Sequence, residues 1–116
     1  MVHQGRQGSA WTSLVHHKIE RSSHKGIETF KVQSDTATKI VNDTLGVPIV
    51  IDYMSLDTEG AEIEALQSIN FDLIDIRFMT IEHGNRKGMK NVFDDYLKQF
   101  GYKVHRVNEW DIEFTK

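Results

Sequence analysis

Four acidic or imidazole side chains stand at the ends of two apolar segments, in a pattern that suits proton transfer. Asp57 and Glu59 follow the run VPIVIDYMSL, and Glu82 and His83 follow the run IRFMTI. Carboxylates and imidazoles are the groups that most often remove a proton from a reacting hydroxyl. Histidine has a reference pKa of about 6.5, which suits neutral pH. We expect Asp57 and His83 to be catalytic, as proton acceptors, and Glu59 and Glu82 to bind and orient substrate hydroxyls.

Two strands and a helix are needed to bring these side chains together. Val47–Leu56 and Ile76–Ile81 are apolar runs typical of strands buried on both faces. Between them Ala61–Ile69 carries an apolar stripe that predicts a short helix. A strand–helix–strand unit of this length is right-handed and parallel, so both strands end at the same edge of the sheet. Open α/β sheets bind ligands in the crevice at that edge.

The segments before this unit predict a strand, a helix and little else. Ile27–Val32 alternates apolar and polar residues, as a half-buried strand does. A helix is predicted over 36–44, capped by Ser34 or Asp35. Its apolar stripe consists of Ala37, Ile40, Val41 and Leu45. Residues 1–26 are polar and contain several glycines, so we expect a poorly structured segment with at most a short amphipathic turn at 11–19.

The segment after the unit predicts a helix and a hairpin. Lys90–Phe100 has an aromatic face that suits packing against a sheet, and Gly101 ends the helix. Strands are predicted over 102–107 and 109–114. The turn between them at Asn108 is so tight that they must pair antiparallel. Residues 27–116 therefore predict an α/β domain with parallel central strands and a reversed C-terminal hairpin.

Composition narrows the classes of function. The chain has 116 residues and a net charge of −3, which gives no reason to expect nucleic acid or an anionic membrane as a partner. It contains no cysteine, which excludes disulfides and thiolate metal sites. No apolar run approaches the roughly 20 residues that span a bilayer. We expect a small-molecule substrate, no bound metal and a cytoplasmic location.

The motif SLDTEGAEIEAL, followed further along by IEHG, resembles the FkbM-type methyltransferases. In that family an Asp-x-Glu-Gly-x-Glu motif closes the fourth strand of the sheet, and a Glu closes the fifth. The matching residues of the first motif are Asp57, Glu59, Gly60 and Glu62, and those of the second are Glu82 and His83. The resemblance implies a Rossmann-like fold and S-adenosylmethionine as cofactor. It also implies methylation of a hydroxyl on a sugar or small molecule. Gly60 is expected to be a structural turn residue.

The glycine-rich turn that holds the cofactor in this class does not occur in the sequence. Neither GRQG nor GSA near the start follows an apolar strand. On the resemblance, the chain is the C-terminal half of the methyltransferase domain, and its cofactor-binding residues are unknown. The fourth strand would then be an exposed edge. We expect strand 47–56 to pair with a missing N-terminal half or a second copy, to aggregate, or to be covered by Ile27–Val32.

Two other functions and one other site fit the same residues. A non-catalytic subunit could bind a partner through the open sheet edge. A carboxylate-based hydrolase could use Asp57 with Glu59 or Glu82 as acid and base, which requires carboxyl groups ~5–10 Å apart. Clustered oxygen ligands also suit magnesium, so Asp57, Glu59 and Glu62 are an alternative metal site. Glu62 and Glu64 also suit the first turn of a helix, where acids interact favourably with the helix dipole.

Overall fold

A computed structural model describes the backbone of residues 2–6, 12–14 and 27–31, and residues 33–116 in full. The first of these parts forms a small antiparallel sheet of β1 (Val2–Arg6), β2 (Thr12–Leu14) and β3 (Ile27–Lys31), in the order β2-β1-β3. The segment expected to be poorly structured therefore contains two strands. The turn predicted at 11–19 lies outside the described residues, apart from 12–14.

The remaining elements build one α/β unit. In chain order they are α1 (Ala37–Leu45), β4 (Ile49–Leu56), α2 (Glu62–Gln67), β5 (Ile74–Glu82), α3 (Met89–Leu97), β6 (Lys103–Val107) and β7 (Asp111–Thr115). Their strands form a four-stranded mixed sheet in the order β4-β5-β7-β6. The pair β4–β5 is parallel, and β7 runs antiparallel to both of its neighbours. The α/β class and the reversed hairpin are as predicted, whereas the parallel part of the sheet is this single pair of strands.

Neither strand of the parallel pair is buried on both faces, contrary to the prediction. No residue of β4 is fully buried, and Val50 and Tyr53 are 52% and 55% exposed. In β5 the buried residues alternate with partly exposed ones. The physical reason is that the helices α2 and α3 contribute their buried side chains to a single core, so each strand packs against that core with only one of its faces. Its fully buried members include Leu66, Ile76, Met79, Ile81, Phe93, Leu97, Ile112 and Phe114.

The helix α1 also differs from its prediction. Its cap is Thr36, whose side chain accepts a hydrogen bond from the Lys39 N–H, and not Ser34 or Asp35. Of the predicted apolar stripe, Ala37 and Val41 pack against the core. Ile40 and Leu45 are 54% and 65% exposed, so only part of the predicted stripe faces the core.

The strand β4 is one open edge of the four-stranded sheet, and β6 is the other. Within the described residues β4 pairs only with β5, and β3 pairs with β1 instead of covering β4. The alternative in which Ile27–Val32 covers this edge is therefore not found within the described residues. Within the same described residues, no helix is long and apolar enough to cross a membrane.

One tyrosine completes the hydrogen bonding of β5 where β7 does not reach. The ladder between β5 and β7 begins at Phe78, which leaves the backbone of Ile76 without a strand partner on that side. The buried hydroxyl of Tyr102 donates to the Ile76 carbonyl at 2.7 Å and accepts from the Ile76 N–H at 3.3 Å. Unpaired buried backbone groups are costly, so this contact substitutes for a missing strand.

The change Tyr102→Phe tests this substitution. It leaves two buried backbone groups of Ile76 without a partner, so we expect the free energy of unfolding to fall by ~1–3 kcal/mol in urea denaturation. The matched control is Tyr96→Phe, since the Tyr96 ring packs on Phe100 but its hydroxyl makes no hydrogen bond to a described residue. The control is expected within about 0.5 kcal/mol of wild type. Equal losses in the two variants would contradict the assignment.

Candidate active site

The turn after β4 is organised by one buried carboxylate. Glu62 is fully buried at the start of α2. Its Oε1 accepts hydrogen bonds from the backbone N–H groups of Thr58 at 3.0 Å and Gly60 at 3.1 Å. Between these donors Glu59 has a φ of +54°, a conformation uncommon for residues other than glycine. The carboxylate of Glu62 therefore holds the whole turn in shape.

Gly60 is explained by the backbone of the same turn. Its φ of +111° lies in a region that residues with a Cβ rarely adopt. A Cβ built on Gly60 would also lie 3.3 Å from Nη1 of Arg86. Asp57 does not cap α2, because the cap residue is Ala61 and no side chain bonds to it.

Arg86 supplies the other partner of Glu62. Its Nη2 donates to Oε2 of Glu62 at 2.8 Å. The same guanidinium donates from Nη2 to the carbonyl of Glu82 at 3.2 Å and from Nε to the carbonyl of His83 at 3.0 Å. Arg86 thus joins the turn after β4 to the end of β5. Burial would raise the pKa of Glu62, but the hydrogen bonds from Gly60 and Arg86 outweigh it and lower that pKa below its ordinary value.

Asp57 and Glu82 come together at the carboxyl ends of the parallel pair. Carboxylate oxygens of Asp57, Glu62 and Glu82 lie within 4.8 Å of one another. A hydrogen bond shared with Asp57 raises the pKa of Glu82 to about 7, and partial burial adds to the rise. The negative charges of Asp57, Glu59 and Glu62 act in the same direction. Glu82 therefore exchanges its proton near neutral pH, where a general base is most effective.

His83 follows Glu82 in the chain but is directed elsewhere. It is 1% exposed, and its Nδ1 accepts a hydrogen bond from the N–H of Asn85 at 3.0 Å. Its Nε2 lies 3.0 Å from the carbonyl of Asn108. With Nδ1 accepting, Nε2 carries the proton and donates to this carbonyl. Both ring nitrogens are thus engaged with backbone groups, and the imidazole links the end of β5 to the β6–β7 hairpin.

The predicted site residues therefore divide into three groups. Asp57 and Glu82 share a hydrogen bond, Glu59 acts on Glu82 through its charge, and His83 contacts the hairpin. The catalytic assignment of His83 stays a prediction. Arg86 was missed, because in the sequence it is one cation in the polar loop NRKG. The signal for it was Glu62, since an acid in a buried turn needs a cation nearby.

Three carboxylates this close could hold a divalent cation. The set that converges, Asp57, Glu62 and Glu82, differs from the predicted set by having Glu82 in place of Glu59. Glu62 is a poor ligand, however, because its oxygens already accept two backbone N–H groups and the guanidinium of Arg86. A cation at this point would have to displace Arg86.

A parallel strand pair with acids at its carboxyl ends and an antiparallel hairpin beside it defines an α/β protein, and open sheets of this class bind ligands at the carboxyl ends of their strands. Comparison with known protein families is more specific, because residues 2–104 match the Methyltransferase FkbM domain. The chain therefore belongs to the FkbM methyltransferase domain family. This confirms the resemblance seen in the two motifs, both of which lie inside the matched range. Comparisons with curated proteins and with solved structures found no match.

The change Glu62→Gln tests the organising role of this carboxylate. An amide has one acceptor oxygen, so its NH₂ group must face either the two backbone N–H groups or Arg86. We expect the free energy of unfolding to fall by ~3–5 kcal/mol in urea denaturation, the cost of breaking a buried ion pair. The control is Glu64→Gln, an exposed acid on the same helix. It is expected to change stability by less than about 0.5 kcal/mol, and a similar loss in both variants would contradict the role.

Proposed function

We propose that this chain forms the acceptor side of an S-adenosylmethionine-dependent methyltransferase that methylates a hydroxyl of a sugar or small molecule. Glu82 accepts the proton of that hydroxyl, and Asp57 and Glu59 orient it. Membership of the FkbM methyltransferase domain family supports the reaction type. The observation that carries the choice of base is the contact between Asp57 and Glu82, which sets the pKa of Glu82 at about 7.

The chemistry of the acceptor explains why such a base is useful. A neutral hydroxyl is a poor nucleophile, and it becomes a good one as its proton is removed. Above pH 7 the carboxylate of Glu82 is ionised and accepts this proton, so no strong base is required. Asp57 stands within hydrogen-bonding distance of the proton that Glu82 then holds. The pair therefore shares one proton during each cycle.

S-adenosylmethionine supplies an electrophilic methyl group when it is bound. The described residues do not fit it by themselves. The N–H groups of Thr58 and Gly60, at the turn where a cofactor would be approached by backbone donors, already bond to Glu62. We therefore place the cofactor pocket outside residues 27–116 and assign it no residue here.

His83 and the hydrolase alternative take second place for geometric reasons. His83 is buried with both ring nitrogens engaged, so within the proposal it supports the end of β5 and does not accept the substrate proton. A glycosidase-type acid and base need carboxyl groups ~5–10 Å apart. The carboxylate oxygens of Asp57 and Glu82 lie within 4.8 Å of one another, which is closer than this range.

The change Glu82→Gln tests the proposed base. Transfer of a radiolabelled methyl group from S-adenosylmethionine to a panel of sugars and hydroxylated small molecules would be measured. The 116-residue chain and the full product of its gene would both be assayed. We expect kcat to fall by ~10²–10⁴. In the unchanged protein kcat/KM should rise with pH through an apparent pKa of about 7, since the base must be ionised.

Glu64→Gln is the matched control for this experiment. It removes an exposed carboxylate from the helix that follows the site, and turnover is expected to stay within about twofold of the unchanged protein. Full turnover in Glu82→Gln, or a pH profile without a limb near 7, would refute Glu82 as the base.

A second function is favoured by the open edge of the sheet. We also propose that a strand of another polypeptide, either the remainder of the methyltransferase domain or a second copy, pairs with β4. The edge is eight residues long, contains neither lysine nor proline, and exposes Val50 and Tyr53. Asp52 is its one charged residue and is paired with Arg77 of β5. Edge strands with exposed apolar side chains pair readily with other strands.

Sedimentation and hydrogen exchange test the edge together. We expect the chain to associate at micromolar concentration, and the β4 amides that face away from β5 to exchange slowly only in the associated form. Tyr53→Lys places a charge on this edge strand and should shift the equilibrium towards monomer. Phe78→Lys cannot replace this variant, because Phe78 lies on β5, which is paired with a strand on each side. A monomer whose β4 amides all exchange slowly would contradict the proposal.

A further inference from the structure

The two turns that form the candidate active site are held together by a single guanidinium. One turn follows β4 and contains Glu62, and the other follows β5 and contains Arg86. Arg86 donates to the Glu62 carboxylate and to the backbone carbonyls of Glu82 and His83, at distances from 2.8 to 3.2 Å. Its acceptors therefore belong to both turns, and one of them is the carbonyl of the proposed base itself.

The surroundings of Arg86 fit a guanidinium closely. A Cβ built on Gly60 would lie 3.3 Å from Nη1, and one built on Gly84 would lie 3.4 Å from Nε. The contact at Gly60 is tighter than an ordinary van der Waals contact, so Gly60 leaves space for the guanidinium, whereas the guanidinium packs beside Gly84 at ordinary contact distance. Only arginine presents donors in a rigid planar fork that can serve several acceptors at fixed angles. Lysine would carry the same charge without this geometry.

The charges around the site explain why such a clamp is needed. Asp57, Glu59 and Glu62 all act on Glu82 with negative charge, and Arg86 is the cation bound among them. Repulsion between the acids would separate the two turns if nothing linked them. The ion pair of Arg86 with the buried Glu62 offsets that repulsion at the point where the strands end.

We propose that Arg86 is a positioning residue, whose guanidinium fixes the separation of the Asp57 and Glu82 carboxylates by tying the turn after β4 to the end of β5. The proposal rests on the proposed function, since it gives a reason why the separation matters. Arg86 does not contact the substrate in this account. It acts through Glu62 and through the backbone of Glu82.

The change Arg86→Lys tests the clamp while keeping the charge beside Glu62. The titration of the Glu82 carboxyl carbon would be followed by ¹³C NMR in the full chain. In the unchanged protein Glu82 should titrate near 7. In Arg86→Lys the two carboxylates move apart, so we expect the pKa of Glu82 to fall by about one unit or more towards its ordinary value. The control Arg77→Met removes an exposed cation from β5, the strand that ends at Glu82, and should leave the titration of Glu82 unchanged.

A folded Arg86→Lys variant in which Glu82 still titrates near 7 would overturn the proposal. If that variant does not fold, the ¹⁵N spectrum of the unchanged protein decides. A clamped Arg86 gives separate Nη signals and a slowly exchanging Nε–H, whereas averaged Nη signals with fast exchange would refute the clamp. The titration requires no turnover, so it is independent of the proposed function. A lowered pKa in Arg86→Lys with full activity in Glu82→Gln would retain the clamp and remove the base.

Discussion

A carboxylate that folding removes from water must find partners in the protein, and Glu62 is the residue on which this constraint falls. Its two oxygens take backbone N–H groups from the turn after β4 and the guanidinium of Arg86 from the loop after β5. The strand ends are therefore joined through one buried charge. The shape of the turn, the place of Arg86 and the proximity of the acids all depend on it.

The sheet explains why the acids meet at all. Since β4 and β5 are parallel neighbours, Asp57 and Glu82 leave the sheet at the same edge. Two carboxylates that approach this closely cannot both remain ionised at little cost, so one of them keeps its proton to higher pH. Here that residue is Glu82. The arrangement converts an ordinary glutamate into a group that titrates where a biological base is useful.

Much of the fold could be predicted from local patterns, and the site only in part. The βαβ unit and the hairpin follow from apolar runs, glycines and a tight turn at Asn108, all of which are local signals. The exposure of Ile40 and Leu45 could not be predicted, because it depends on which side chains of α1 pack against the core. The hydrogen bonds of His83 could not be predicted either, since one partner, Asn108, is distant in the chain. The convergence of Asp57 with Glu82 was predictable, because strand direction alone determines it.

The central claim is that Asp57 and Glu82 act on one another across the ends of two parallel strands. The most direct test is the ¹³C NMR titration of the Glu82 carboxyl in the unchanged chain and in Asp57→Asn. We expect a pKa of about 7 in the first and a fall of about one unit or more in the second, because the hydrogen bond with the Asp57 carboxylate and its negative charge are lost. A Glu82 that titrates near 4.5 in the unchanged chain, or that does not respond to the change at Asp57, would contradict it.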